Sequence, residues 1–259
     1  MQLDKIIDLS KYPISDPAFQ KISADRLETN GVLTLPNFFT SQAFETIKAE
    51  AQACKDHAYF CTQTHSVYLT EPNPNFPKDH AANRHVTSSK GCICDDVVPM
   101  NSPLRALYKS DGFKTFITSI TGAPAVHPYA DPLSSINIHY ANKGQELGWH
   151  FDNSSFAITI LIQKPDAGGA FEYIKDLRNA DAGDMNYEGV TALLDGATKP
   201  AHLEIEEGTF VLFRGRNSIH RVSPNESDKT RMLAVLAYNS KPGVALSENA
   251  RMTFYGRLN

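Results

Sequence analysis

No run of apolar residues in this chain is long enough to cross a bilayer, and no apolar signal-peptide core follows Met1. The reading is a cytoplasmic protein without a membrane partner. Basic runs are also missing, and the formal net charge is −4, which argues against a surface that coats nucleic acid. Cysteine is scarce: Cys54, Cys61, Cys92 and Cys94. The Cys92/Cys94 pair lacks the two-residue spacing of a zinc knuckle, and no second matching pair exists. Reduced, ordinary thiols are therefore expected. There is one tryptophan, no internal repeat and no low-complexity tract. What remains is globular composition, and 259 residues suffice to bury a large core within one domain. Monomer and homodimer both stay open.

The two halves of the chain differ in texture. Asp16-Pro17 opens a helix expected to run to about Leu27, and Gly31–Pro36 is a short strand. Thr40 can cap a helix in which Ala43, Ile47 and Ala51 recur at helical spacing. From about Tyr59 to Pro99 the pattern dissolves into prolines and polar residues, as in a long functional loop. Pro103 starts a helix that breaks near Gly112 and stops at Gly122. After Pro132 short strands dominate: 135–140, 156–163, 170–174, 203–206, 209–213, 219–222 and 232–238. A polar insertion from Lys175 to Ala201 holds a helical piece near Val190–Leu194. The expected class is α+β: a double-stranded β-helix (jelly roll) from about 131 to 259, with a helical part, about 1–130, packed on one sheet. Both form a single domain, 1–259.

One short stretch carries chemistry. In Gly148-Trp149-His150-Phe151-Asp152-Asn153, a histidine and a carboxylate sit two residues apart. On extended backbone they share a face and can reach one metal ion. His220, just after the apolar run ending at Phe213, is the candidate third ligand. Two histidines and one carboxylate with open positions opposite are the set used by non-haem Fe(II) oxygenases.

The order Gly148-Trp149, His150-x-Asp152, Gly168-Gly169, Gly208-Thr209-Phe210, His220-Arg221-Val222 and Arg231 resembles the Fe(II)/2-oxoglutarate-dependent dioxygenases over roughly 134–239. The resemblance implies that His150, Asp152 and His220 bind Fe(II), with 2-oxoglutarate and O2 as co-substrates. It implies that the Arg231 guanidinium takes the distal carboxylate of 2-oxoglutarate as a bidentate donor. Asn137 and His139, on the preceding strand, are further candidates to line that site. The stretch His150–Pro165 and the chain length look similar to a bacterial group of halogenases and hydroxylases that act on free amino acids. In the halogenases a small residue replaces the carboxylate and chloride binds instead, so Asp152 implies hydroxylation, with desaturation or cyclisation open on the same metal. The group's substrate-carboxylate arginine would be Arg84, and Asn153 and Trp149 are further substrate candidates. His57, His65, His80 and His85 read as loop or surface residues, and Arg214 and Arg216 as ion-pair formers. Residues 59–99 and 175–201 are candidate lids.

Two other readings remain: a peptidyl oxygenase of the prolyl-hydroxylase kind, and a non-redox cupin-like metal protein. Arg231 weighs against the second, because a buried guanidinium calls for an anion.

Overall fold

A computed structural model describes all 259 residues. Six helices and eleven strands follow in chain order. They are α1 (Pro17–Asn30), β1 (Val32–Leu35), α2 (Ser41–Ala53), β2 (Tyr59–Ser66), β3 (His85–Ile93), α3 (Pro103–Lys109), α4 (Asp111–Thr121), β4 (Ile136–Ala141), β5 (Leu147–His150), β6 (Ala157–Gln163), β7 (Phe171–Ile174), α5 (Tyr187–Leu194), β8 (Ala201–Leu203), β9 (Phe210–Phe213), β10 (Ile219–Val222), β11 (Arg231–Leu236) and α6 (Glu248–Tyr255). None of the helices is long and apolar enough to cross a membrane.

Local chemistry sets the helix ends. The Asp16 carboxylate accepts from Ala18 N–H at 2.9 Å, and Gly31, at φ +71°, ends α1. The Thr40 hydroxyl accepts from Ala43 N–H and caps α2, whose Ala43, Ile47 and Ala51 are buried as the spacing requires. The expected break in the 103–122 helix falls at Ser110, which ends α3 and caps α4.

The strands form an antiparallel sheet in the order β1-β9-β6-β11-β4-β3-β2 and a smaller one in the order β5-β10-β7-β8. Alternation sorts the large sheet into two faces. Ile158, Ile160 and Ile162 of β6, Ile136, Ile138 and Tyr140 of β4, and Met232, Ala234 and Leu236 of β11 join the helices in one 33-residue core. The opposite face, with Thr159, His139, Arg231, Leu233 and Val235, turns toward the small sheet and lines a cavity. This is the expected α+β jelly roll.

The structure corrects three expectations. The 59–99 stretch is not one loop: β2 and β3 pair as a hairpin in full register from Tyr59↔Cys92 to Ser66↔His85. Its pattern hides because the cavity-facing residues of β2, Gln63 and His65, are as polar as the outward Thr62 and Thr64. The N-terminal part is therefore not only helical; it lends β1, β2 and β3 to the large sheet. Helix α6 was not anticipated. It lies against the hairpin, and the Tyr255 hydroxyl donates to Asn137 Oδ1 at 3.1 Å.

Candidate metal centre and its cavity

His150 ends β5 and pairs directly with His220 of β10. The register slips next to that pair, because Val222 lies opposite Leu147. Such a bulge lets residues three apart, Leu147 and His150, both face the cavity. Past the strand end, Asp152 N–H donates to Gly215 O at 3.0 Å and Phe151 N–H to Val67 O at 2.9 Å. These two bonds turn the Asp152 carboxylate inward.

The three side chains converge. Their ligand atoms lie within 4.8 Å of one another, and Asp152 Oδ1 is 3.6 Å from Nε2 of both histidines. His150 Nδ1 is 2.8 Å from Gly148 O, and His220 Nδ1 is 3.0 Å from Ser218 O. A carbonyl only accepts, so each Nδ1 carries the proton and each Nε2 aims a lone pair at the shared centre. Burial, reinforced by the neighbouring His150, pushes His220 down to about 4, so its imidazole is neutral at physiological pH. Burial alone would push the Asp152 carboxyl up, but His220 and His150 outweigh it and hold it below the ordinary carboxylate range. Asp152 Oδ2 is buried without a hydrogen-bond partner. Two imidazoles, each with Nδ1 committed to a backbone carbonyl, and a carboxylate with an orphaned oxygen form a donor set that fits a divalent cation.

Gly215 makes room for that oxygen. A Cβ there would lie 1.9 Å from Asp152 Oδ2 and 2.9 Å from His220 Cε1. We expect Gly215→Ala to displace the carboxylate and weaken metal binding by about tenfold to hundredfold, the range found when ligand-orienting contacts are lost. Metal titration of the folded variant checks this; unchanged affinity would mean the loop yields freely.

Arg231, at the start of β11, is 7% exposed and its side chain makes no hydrogen bond or ion pair. Burial pushes it down to about 10. Its guanidinium lines the same cavity, about 330 Å³ in volume, as the three converging residues. A Cβ on Gly169 would come within 3.1 Å of Arg231 Cδ.

A family model described as Halogenase D matches residues 15–253. The chain belongs to that family. No curated protein matches the sequence. Among solved structures it is similar to the non-heme α-ketoglutarate-dependent epimerase SnoN from nogalamycin biosynthesis, with TM-score 0.59 at 12% identity over 86% of this chain and 81% of that one. It is similar to a 2OG-Fe(II) oxygenase family oxidoreductase from Burkholderia pseudomallei, with TM-score 0.55 at 14% identity over 87% and 92%. A Pseudomonas putida prolyl-4-hydroxylase matches with TM-score 0.52 at 12% identity over 83% and 96%. At such identities the structural likenesses speak for the fold. Family, fold and the His-Asp-His cluster together make the protein an Fe(II)/2-oxoglutarate-dependent oxygenase.

The other sequence candidates separate. His139 lines the cavity. Asn137 does not: its amide donates to Leu133 O and Ile136 O and its oxygen accepts from Tyr255, a saturated structural group. Arg84 lies outside the cavity lining, in an ion pair with Asp195 at 2.6 Å. Trp149, on the opposite face from His150, packs in a second core under the Arg221 guanidinium. Asn153 borders a separate depression, and its carbonyl accepts from Arg216. Arg214 and Arg216 pair with Glu28 and Asp181, as expected. The two candidate lids pack on each other: Tyr68 OH donates to Met185 O at 2.8 Å, and His80 and Phe76 stand edge-on to Tyr187.

Sequence reasoning missed one side of the cavity. His65, read as a surface group, faces inward, 2.7 Å from Ser88 Oγ, with its ring 6.3 Å from that of His150. Ser88 also accepts from Gly148 N–H. Lys90 and Phe254 complete this side. The signal that could have found Lys90 is its spacing of two from Ser88, and it becomes informative only once β3 is recognised as a strand.

Proposed function

We propose that the protein hydroxylates an unactivated C–H bond of a small organic molecule, a free amino acid or a close derivative, consuming 2-oxoglutarate and O2 and releasing succinate and CO2. The observation that carries this reading is the buried, unpartnered Arg231 guanidinium in the same cavity as the His150-Asp152-His220 cluster. A bound Fe(II) would supply the O2-dependent oxidation, coupled to decarboxylation of the keto acid. The chain's own part is to hold and orient. His150, Asp152 and His220 present three donors on one side and leave the other side open. Arg231 anchors the distal carboxylate and sets the keto-acid end toward those donors. Leu147, Phe171, Val211, Phe213 and Leu233 keep water from the reacting centre. Asp152 supports hydroxylation over halogenation, because its carboxylate occupies the space a halide would need.

The cavity volume favours a small substrate over a protein segment. Some 330 Å³ is near the lower end of the roughly 300–1,000 Å³ common for small-molecule sites, and 2-oxoglutarate must share it. Anaerobic protein with Fe(II) and 2-oxoglutarate should develop a weak visible charge-transfer band, and free amino acids should then stimulate succinate release. A protein that shows no band and retains zinc instead would be a cupin-like metal protein. Stimulation by prolyl peptides alone would favour the peptidyl reading.

A further inference from the structure

The cavity holds a second basic side chain. Lys90 lies on β3 opposite Cys61, two residues from Ser88, on the face turned toward the small sheet. Its amine sits 3.2 and 3.4 Å from the two ring nitrogens of His139 and 5.5 Å from the centre of the Phe254 ring. Nothing else touches it: no carboxylate lies within ion-pair distance, and no carbonyl accepts from it. A neutral imidazole accepts one N–H, so at least two of the three are left over.

The surroundings supply no counter-charge. Cys61 and Cys92 are near, but burial pushes both thiols up, Cys92 to about 12, so they stay protonated. Among the residues lining the cavity the one acid is Asp152, committed to His150 and His220. Glu146 borders a small adjoining recess and forms no ion pair with Lys90. The other polar groups on this side, Gln63, His65 and Ser88, are neutral hydrogen-bonders, and the rest is largely aliphatic and aromatic. Lys90 is half-buried, and burial pushes its amine down from the ordinary value; such a group, facing a cavity without a counter-charge, is answered best by an anionic ligand.

We propose that Lys90 is the receptor for a substrate carboxylate, and that the enzyme takes an acid with an apolar side chain rather than one whose side chain ends in a cation. This rests on the small-molecule oxygenase reading above. Arg231 remains free for 2-oxoglutarate, on the other side of His139. A substrate ammonium or guanidinium side chain would meet Lys90 and no acid, so like charges would oppose it.

The test is calorimetric binding of hexanoate, hexylamine and hexanamide, with and without Fe(II) and 2-oxoglutarate, under anaerobic conditions. Hexanoate should bind at least about tenfold tighter than the amine or the amide, the size of one charge-assisted contact. Lys90→Met, close to the native shape, should lose about tenfold for hexanoate while holding 2-oxoglutarate unchanged, and Lys90→Arg should recover hexanoate binding. Three results overturn the proposal: no preference for the acid over the amine, unchanged hexanoate affinity in Lys90→Met, or loss of 2-oxoglutarate instead of hexanoate in that variant. The acid–amine comparison can be read whether or not the visible band appears, so this inference and the oxygenase reading fail separately.

Discussion

Asp152→Ala should lower 2-oxoglutarate-dependent turnover by more than about hundredfold, beyond the roughly tenfold to hundredfold cost of losing only a ligand's supporting contact. The change removes the one anion in the donor set and leaves two neutral imidazoles to hold a divalent cation. Folding should not suffer with it. The metal-free variant loses the attraction of His220 and His150 that holds this carboxyl below its ordinary range, but it also sheds the burial cost and an Oδ2 without a partner, so the two largely offset. Metal content, turnover and thermal unfolding of the metal-free variant separate the two effects. Full metal occupancy with near-normal turnover would remove Asp152 from the centre.

Arg231→Met should push affinity and stability in opposite directions. Loss of a buried charged contact to the distal carboxylate costs about 2–5 kcal/mol, which weakens 2-oxoglutarate binding by roughly thirtyfold to several thousandfold. In the ligand-free protein the same guanidinium is buried, pushed down to about 10, and without hydrogen bond or ion pair. Replacing an unpaired buried charge by an apolar chain of similar volume relieves desolvation. The free variant should therefore melt higher, by roughly 2–4 °C for each kcal/mol gained in a domain of this size. Equilibrium binding and unfolding scans on one preparation test both halves. A lower melting temperature with intact 2-oxoglutarate binding would make Arg231 a structural residue.

Both expectations rest on one physical reason: each group lines the cavity, and the chain leaves the Asp152 Oδ2 and the Arg231 guanidinium without a hydrogen-bond partner. Arg84 shows the contrast. It carries the same group on a loop, found Asp195, and is satisfied without any ligand. Charge alone does not mark a recognition residue; charge that the protein itself leaves unanswered does.

Much of this was determined by the sequence alone. Strand-like pattern around His150-Phe151-Asp152 was enough to put two donors on one side, and the spacing to His220 and Arg231 carried the family resemblance. Caps at Asp16, Thr40 and Ser110, and the alternation of Ile158, Ile160 and Ile162, are local physics that any fold must respect. The substrate side was decided by tertiary structure. β2 lacks alternation because both of its faces are polar, one toward solvent and one toward the cavity, and β3 runs Thr87-Ser88-Ser89-Lys90 without an apolar residue, so His65, Ser88 and Lys90 looked like loop residues. Asn137 and His139 share a face and a chemistry class, yet Tyr255 from the distant α6 saturates one while the other meets Lys90. Periodicity reports which face a side chain takes; only the packing of remote elements decides whether that face meets a partner or an empty cavity.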